Sequence, residues 1–486
     1  MKKDLKELYR NALIDGLTFI DNFLEETRKK EYWWDIKKYD EYPSMSYFDS
    51  GLPSFSKHNS EKIDYSGILN KNSKCEELDS WKNYHDYVCA SEKLTEFYGK
   101  QYFVDSDSSK SNDIWRKIYT YYVLAGFVDR YIHLNPDKTK FNEELFNSQF
   151  NKWYNSVNEK KLYVEIHVPI LFVDFEFDEV QISDNILIKR MDEKLQLSRH
   201  QKVSYTDSSK NTVAGAASHA LVLKNWNVDN MQHSARENIL YDINSYNSII
   251  EIVESFFSVF RVTVGVFSGF SQIVSKATNW EDRTKGDLYH VNVVSTRRYP
   301  DFFDNYGWLN SPKIIKKEDV VKTAKYFENV RNTKANRIKL ALSRLNTSYL
   351  RSREEDTILD ITIALETILT HDSQSEITYR LSSRIAALCL IKPFKDYSEF
   401  QVFEFCKKIY SFRSAVVHGD SKRIGKTRKV KIQENEEIET IIISLELLRH
   451  VLGILIENPL YNNPIEIDKL KYKSTEPNKS NRCTIK

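Results

Sequence analysis

The sequence predicts a multidomain α+β protein, with a helical N-terminal region, an α+β middle domain and a C-terminal all-α helical bundle. Three observations carry this. Apolar residues recur at the 3.6-residue helical period in three stretches of residues 1–158 and again from Lys316 to Asn458. Between those stretches, from Leu162, the period changes to 2, and β-branched and aromatic residues alternate with polar ones. The composition, 41% hydrophobic and 29% charged over 486 residues, is that of a folded chain with room for two to four domains.

In residues 1–158, Leu5 to Tyr39 reads as one long amphipathic helix with a gap near Gly16, anchored by Trp33 and Trp34. A polar, aromatic-rich stretch of little periodicity follows to Val104. After the break DSDSSKSND (Asp105 to Asp113), two helices are expected, Ile114 to Leu134 and Asn142 to Asn158. Residues 159–312 form the α+β segment. LYVEIHVPILFVDFEF and VQISDNILIKRM read as strands, the latter broken by Asp184-Asn185. Ser218 to Trp226, Thr263 to Val274 and Leu288 to Thr296 read as further strands, with a helix from Ala235 to Phe260. In residues 316–460 five helices are expected: Lys316 to Leu345, Glu354 to His371, Glu376 to Ile391, Glu399 to His418 and Glu436 to Asn458. Ser373 with Glu376 and Ser398 with Gln401 have capping-box spacing. Residues 461–486 read as a flexible tail rich in Lys, Asn and Ser.

Composition narrows the chemistry. The net charge of +2 requires any nucleic-acid contact to come from a local basic patch. Five cysteines without a CxxC pair give neither a disulfide framework nor a zinc knuckle, so no metal or other cofactor is expected and a reducing cytoplasm fits. The N-terminus has acids where a signal peptide is apolar, and the most apolar stretch, Ile114 to Leu134, carries Arg116, Lys117, Asp129 and Arg130. Neither secretion nor membrane insertion is expected. G-x-G-x-x-G, G-x-S-x-G and H-E-x-x-H are all absent.

The most informative stretch is Gln401 to Asp420, QVFEFCKKIYSFRSAVVHGD. As a helix it puts Val402, Cys406, Ile409 and Val416 on one stripe, and Arg413 falls within that stripe. A guanidinium there needs an acidic partner or an anionic ligand to offset several kcal/mol of desolvation, in order of magnitude. His418 follows five residues later, in the last turn before Gly419, the expected left-handed C′ residue. The pair diverges by about 140° around the helix, so a second helix or a second subunit must bring such groups together. On spacing alone, His418 reads first as a C-terminal cap; Arg413 on the apolar stripe, which a cap does not require, shifts the balance toward a site. Gly419 to Thr427 only superficially resembles a phosphate-binding loop, having five residues between its glycines and following a helix. The adjoining basic run contains Lys422, Arg423, Lys426, Arg428, Lys429 and Lys431. It is either a solvated loop or a phosphate-backbone contact. Glu366 and Asp360 lie on an apolar helix and are expected at the bundle's solvent edge; facing inward, Glu366 would be a counter-ion for Arg380, Arg384 or Arg413.

The run IALETILT, then SEITYRLSSRIAALCL, then YSFRSAVVHG, in that order, resembles the Apea-like HEPN domain of bacterial anti-phage and toxin-type proteins, over about Ser343 to Asn458. VPILFVDFEFDEVQISDNILIKRM and FRVTVGVFSG look like the region preceding this module in ApeA-type proteins. The resemblance implies a metal-independent endoribonuclease of abortive infection, a cytoplasmic homodimer whose site forms at the HEPN interface, with tRNA as the expected substrate class. Arg413 and His418 would be catalytic, Ser414 and Glu366 supporting, and Lys422, Arg423, Lys426 and Arg428 RNA-binding. Ser414 departs from the Asn, Asp or His that many such nucleases carry after the Arg. The N-terminal two thirds would sense infection, including a phage-encoded trigger, or restrain the nuclease. The alternative is a catalytically inactive HEPN module that binds RNA or a nucleotide, or serves as a dimerisation scaffold.

Overall fold

The computed structural model describes residues 2–30, 36–57, 61–71, 77–94, 109–202, 208–230, 240, 242–282, 284–304, 307–370, 376–433 and 436–473. In chain order its elements are α1 (Lys2–Lys29), β1 (Ser44–Tyr47), β2 (Pro53–Ser56), α2 (Tyr65–Lys71), α3 (Asp79–Ala90), α4 (Ser109–Leu134), α5 (Glu143–Asn158), β3 (Lys161–Pro169), β4 (Val173–Phe175), β5 (Glu179–Ser183), β6 (Ile186–Arg190), α6 (Glu193–Gln201), α7 (Ser208–Gly215), β7 (His219–Asp229), α8 (Ile243–Val264), β8 (Phe270–Ala277) and β9 (Val291–Arg298). There follow β10 (Lys313–Ile315), α9 (Lys317–Asn332), α10 (Asn336–Ser348), α11 (Glu354–Leu369), α12 (Ile377–Leu388), α13 (Glu399–Val417), α14 (Ser421–Thr427), β11 (Lys429–Gln433), β12 (Glu436–Glu439), α15 (Thr440–Glu457) and α16 (Pro464–Lys473). The protein is thus mixed α/β. It clusters into two compact units that interleave in sequence: unit 1 is Met1–Pro169, Arg190–Asn247 and Gln272–Thr296, and unit 2 is Ile170–Lys189, Ser248–Ser271 and Arg297–Lys486. Residues 159–312, expected as one domain, are shared between the two.

In unit 1, α1 continues through Gly16 without the expected gap. A Cβ at Gly16 would sit 2.8 Å from Val128 Cγ2 and 3.5 Å from the Trp81 ring, so glycine is what allows α1 to approach α4 and α3 closely. The helix ends at Lys29, and Trp33 and Trp34 lie outside the described residues. The stretch to Val104 is not wholly aperiodic: it holds the antiparallel pair β1–β2, α2 and α3. These are elements of 4 to 12 residues, too short for a clear period. Tyr9 is central to the core, its ring against Tyr84, Phe127, Phe150 and Trp153 and its hydroxyl 3.0 Å from that of Tyr84. The strands β7, β3, β8 and β9 are neighbours in that order, and β3 pairs antiparallel with both β7 and β8.

In unit 2, β5 and β6 form the hairpin that turns at Asp184-Asn185, as read from sequence, and β4 pairs parallel with β10. The expected strand from Thr263 is instead helical to Val264, and β8 starts only at Phe270. The β-branched run FRVTV stays in α8 because Phe260, Arg261, Val262 and Val264 are buried on it, and burial overrides local propensity. The helix expected over Lys316 to Leu345 is two, α9 and α10, broken where the Thr333 hydroxyl accepts the Ala335 N–H at 3.2 Å. The start of the last expected helix is β12, paired antiparallel with β11. The capping box at Ser398 and Gln401 is formed; Ser373 lies outside the described residues, and Glu376 is an N-cap in the left-handed region without a side-chain bond. The tail expected from 461 is corrected by α16: Ile467 is fully buried, and Asp468 holds Arg384. Among the described residues no helix is long and apolar enough to cross a membrane.

Candidate functional site

Helix α13 carries the site. Its buried face consists of Val402, Phe405, Cys406, Ile409, Tyr410, Phe412 and Ala415, and it packs on α11, α12 and α15. Val416 is only half-buried, and the buried face is wider than the stripe expected, taking in Tyr410 on one side and Phe405 and Phe412 on the other. Arg413 falls within that face and is itself half-buried. The Nε of Arg413 is closed to solvent and has no hydrogen-bond partner, and no carboxylate among the described residues pairs with its guanidinium. An ionised donor desolvated without compensation is costly.

Beside it, three residues earlier, is Tyr410, which sequence reasoning missed. Its hydroxyl is also buried and without a well-formed hydrogen bond. Burial, followed by the nearby Glu366 carboxylate on α11, holds this phenol well above its ordinary range, while the Arg413 charge acts in the opposite direction. Glu366, Tyr410 and Arg413 therefore share one electrostatic neighbourhood. Its only sequence signal was the i, i+3 spacing of Tyr410 and Arg413 on a helix.

The end of α13 is as the sequence suggests. Gly419 has φ +65°, its N–H bonds the Val416 carbonyl, and the Asp420 N–H bonds the Ala415 carbonyl at 3.0 Å, which is the Schellman arrangement. His418 is the C-cap residue; its imidazole is exposed and makes no hydrogen bond to the described residues. Ser414 is half-buried, and its carbonyl accepts the His418 N–H. The chain then turns into α14, capped by Asp420 through the Arg423 N–H, so the pseudo-phosphate loop is mostly helix.

The basic run divides into two parts. Arg428 donates to Glu354 at 2.7 Å, and in the β11–β12 pair Lys429 stands opposite Glu439 and Lys431 opposite Glu437. The Arg428 charge is thus paired within the chain, and the two lysines face acids across the strands. Lys422, Arg423 and Lys426 on α14 are exposed, and among the described residues the only side-chain bond they make is from Arg423 to the Ser411 hydroxyl at 3.2 Å.

Two acidic expectations change. Asp360 is not at the solvent edge: its side chain is 4% exposed and accepts from Arg344 at 2.8 Å and Arg351 at 2.9 Å. Glu366 is half-buried rather than on the outer face. Of its suggested counter-ions, Arg384 is taken bidentately by Asp468, at 2.9 and 2.7 Å, and Arg413 lies near but unpaired. The chain matches no family model, no curated protein and no solved structure.

Proposed function

We propose that the protein is a HEPN-type, metal-independent endoribonuclease of anti-phage defence, cutting RNA of the tRNA class at a composite site formed by two copies of the chain. One observation carries this reading: among the described residues, the side chains of Arg413 and His418, the two residues of the R-x4-H spacing, meet no ionic or hydrogen-bonding partner. An arginine neutralised by Glu366 would have favoured a silent scaffold.

In this mechanism a neutral His418 imidazole takes the proton of a ribose 2′-OH. The oxygen attacks the adjacent phosphorus and the bond to the 5′-oxygen breaks. An imidazolium, that of His418 in the other copy, returns a proton to the leaving oxygen. Arg413 donates to the phosphoryl oxygens as their charge develops, with Glu366 nearby but unpaired with the guanidinium. The products are a 2′,3′-cyclic phosphate and a 5′-hydroxyl. Lys422, Arg423 and Lys426 hold the flanking backbone, and the rest of the chain restrains the site until a phage-encoded trigger arrives.

The test is incubation of total cellular RNA, in EDTA and with or without phage-infected lysate, with wild type, Arg413→Ala and His418→Ala. Discrete fragments from the wild type alone support the nuclease. Cleavage unchanged in both variants, or absent from the wild type in both conditions, overturns it.

A further inference from the structure

Unit 1 contains a cavity of about 330 Å³ on one side of α4, a size at the lower end for small-molecule sites. Its walls are largely apolar: Tyr122, Val123 and Phe127 of α4 and Trp153 of α5. Gly126 also lines it, in the middle of α4, where a glycine weakens the helix. A Cβ added at Gly126 would meet nothing within 4 Å, so neither backbone strain nor close packing requires glycine here. What the missing side chain leaves is open volume.

The polar edge of the cavity is specific in what it lacks. Arg130 donates to Glu281 at 2.7 Å and to the carbonyls of Gly286 and Leu288, while Lys152 holds the other Glu281 oxygen at 2.8 Å. That ion-pair network is satisfied and asks for no charged ligand. Gln149, also lining the cavity, is 5% exposed; its Nε2 donates to the Phe127 carbonyl at 2.9 Å, but its Oε1 has no partner. A buried, unpaired amide oxygen costs stability unless a donor meets it.

We infer that this cavity is a binding site for an uncharged, planar heteroaromatic molecule of one or two rings, whose faces lie against Tyr122, Phe127 and Trp153 and whose ring N–H is met by Gln149 Oε1 when that side chain turns toward it. All residues of the site belong to unit 1, so it stands independently of the ribonuclease reading.

The probes are indole and benzofuran, the same two-ring frame with and without the N–H, titrated calorimetrically into the full-length protein. Indole binds saturably and about three- to tenfold more tightly than benzofuran, the worth of one net hydrogen bond. Gly126→Leu fills the volume, melts no lower than wild type and loses indole binding. Gln149→Met provides a second check, since it removes the preference for indole. Absence of saturable indole binding to the wild type, or undiminished binding by a folded Gly126→Leu, overturns the site. Equal affinities for the two probes overturn the role of Gln149.

Discussion

Asp468→Ala tests the placement of the C-terminal segment most sharply. The Arg384 side chain is 10% exposed; its Nε and Nη2 donate to the two Asp468 oxygens at 2.9 and 2.7 Å, and its Nη1 to the Leu369 carbonyl. Removing one partner of a buried ion pair costs about 3–5 kcal/mol. Asp468 is itself 41% exposed, so water can reach part of the vacated space, and the figure falls to about 2–3 kcal/mol. Because the chain has two units, a single global unfolding energy is poorly defined, and the local reading is amide hydrogen exchange across α16. That loss corresponds to exchange roughly 30- to 150-fold faster over Pro464–Lys473. Arg384→Met combined with Asp468→Ala should recover much of the protection, since no unpaired guanidinium remains. Unchanged exchange in Asp468→Ala would show that the pair does not hold α16 and would refute the reasoning.

Three further outcomes follow from particular residues. His200 is buried, stacked on Phe55, and pushed down to about 3 by burial and then by Arg199 and Lys57. Between pH 6.5 and 3 the unfolded state therefore binds the additional proton, so stability is lost as pH falls through that window, by about 2 kcal/mol at pH 5. Melting at pH 7.5 and 5.0 should show a smaller drop for His200→Phe than for wild type. Gly419→Ala places a side chain at φ +65° and should cost about 1–2 kcal/mol in thermal unfolding, with Gly419→Asn milder; equal melts would contradict the strained position. Replacing Lys422, Arg423 and Lys426 together by Ala should flatten the log–log salt dependence of RNA binding by about 2, at roughly 0.7 per phosphate contact on a single strand. Arg428→Ala should leave that slope unchanged, because Glu354 already holds the guanidinium.

What the sequence made legible was local. The Schellman end at Gly419, the Ser398 capping box and the Asp184-Asn185 turn depend on residues a few positions apart, and all three appear as read. Long-range burial was not legible. Asp360 looked like a solvent-edge acid because its two arginines are 16 and 9 residues away, and nothing in the pattern of α11 announces them. The polar composition of 461–486 hid Ile467 and the reach of Asp468 back to Arg384, 84 residues earlier. FRVTV favoured a strand by propensity, and the buried face of α8 decided otherwise. At the candidate site, Arg413 and His418 were visible through spacing, but the unpaired Nε and the neighbourhood of Tyr410 and Glu366 needed coordinates.

The most direct measurement is the chemistry of the new RNA ends. Fragments made by the wild type in EDTA should carry 2′,3′-cyclic phosphate and 5′-hydroxyl termini, and should vanish with Arg413→Ala and with His418→Ala. Ends with a 3′-hydroxyl and a 5′-phosphate, or fragments that persist in both variants, would contradict a site built on these two residues.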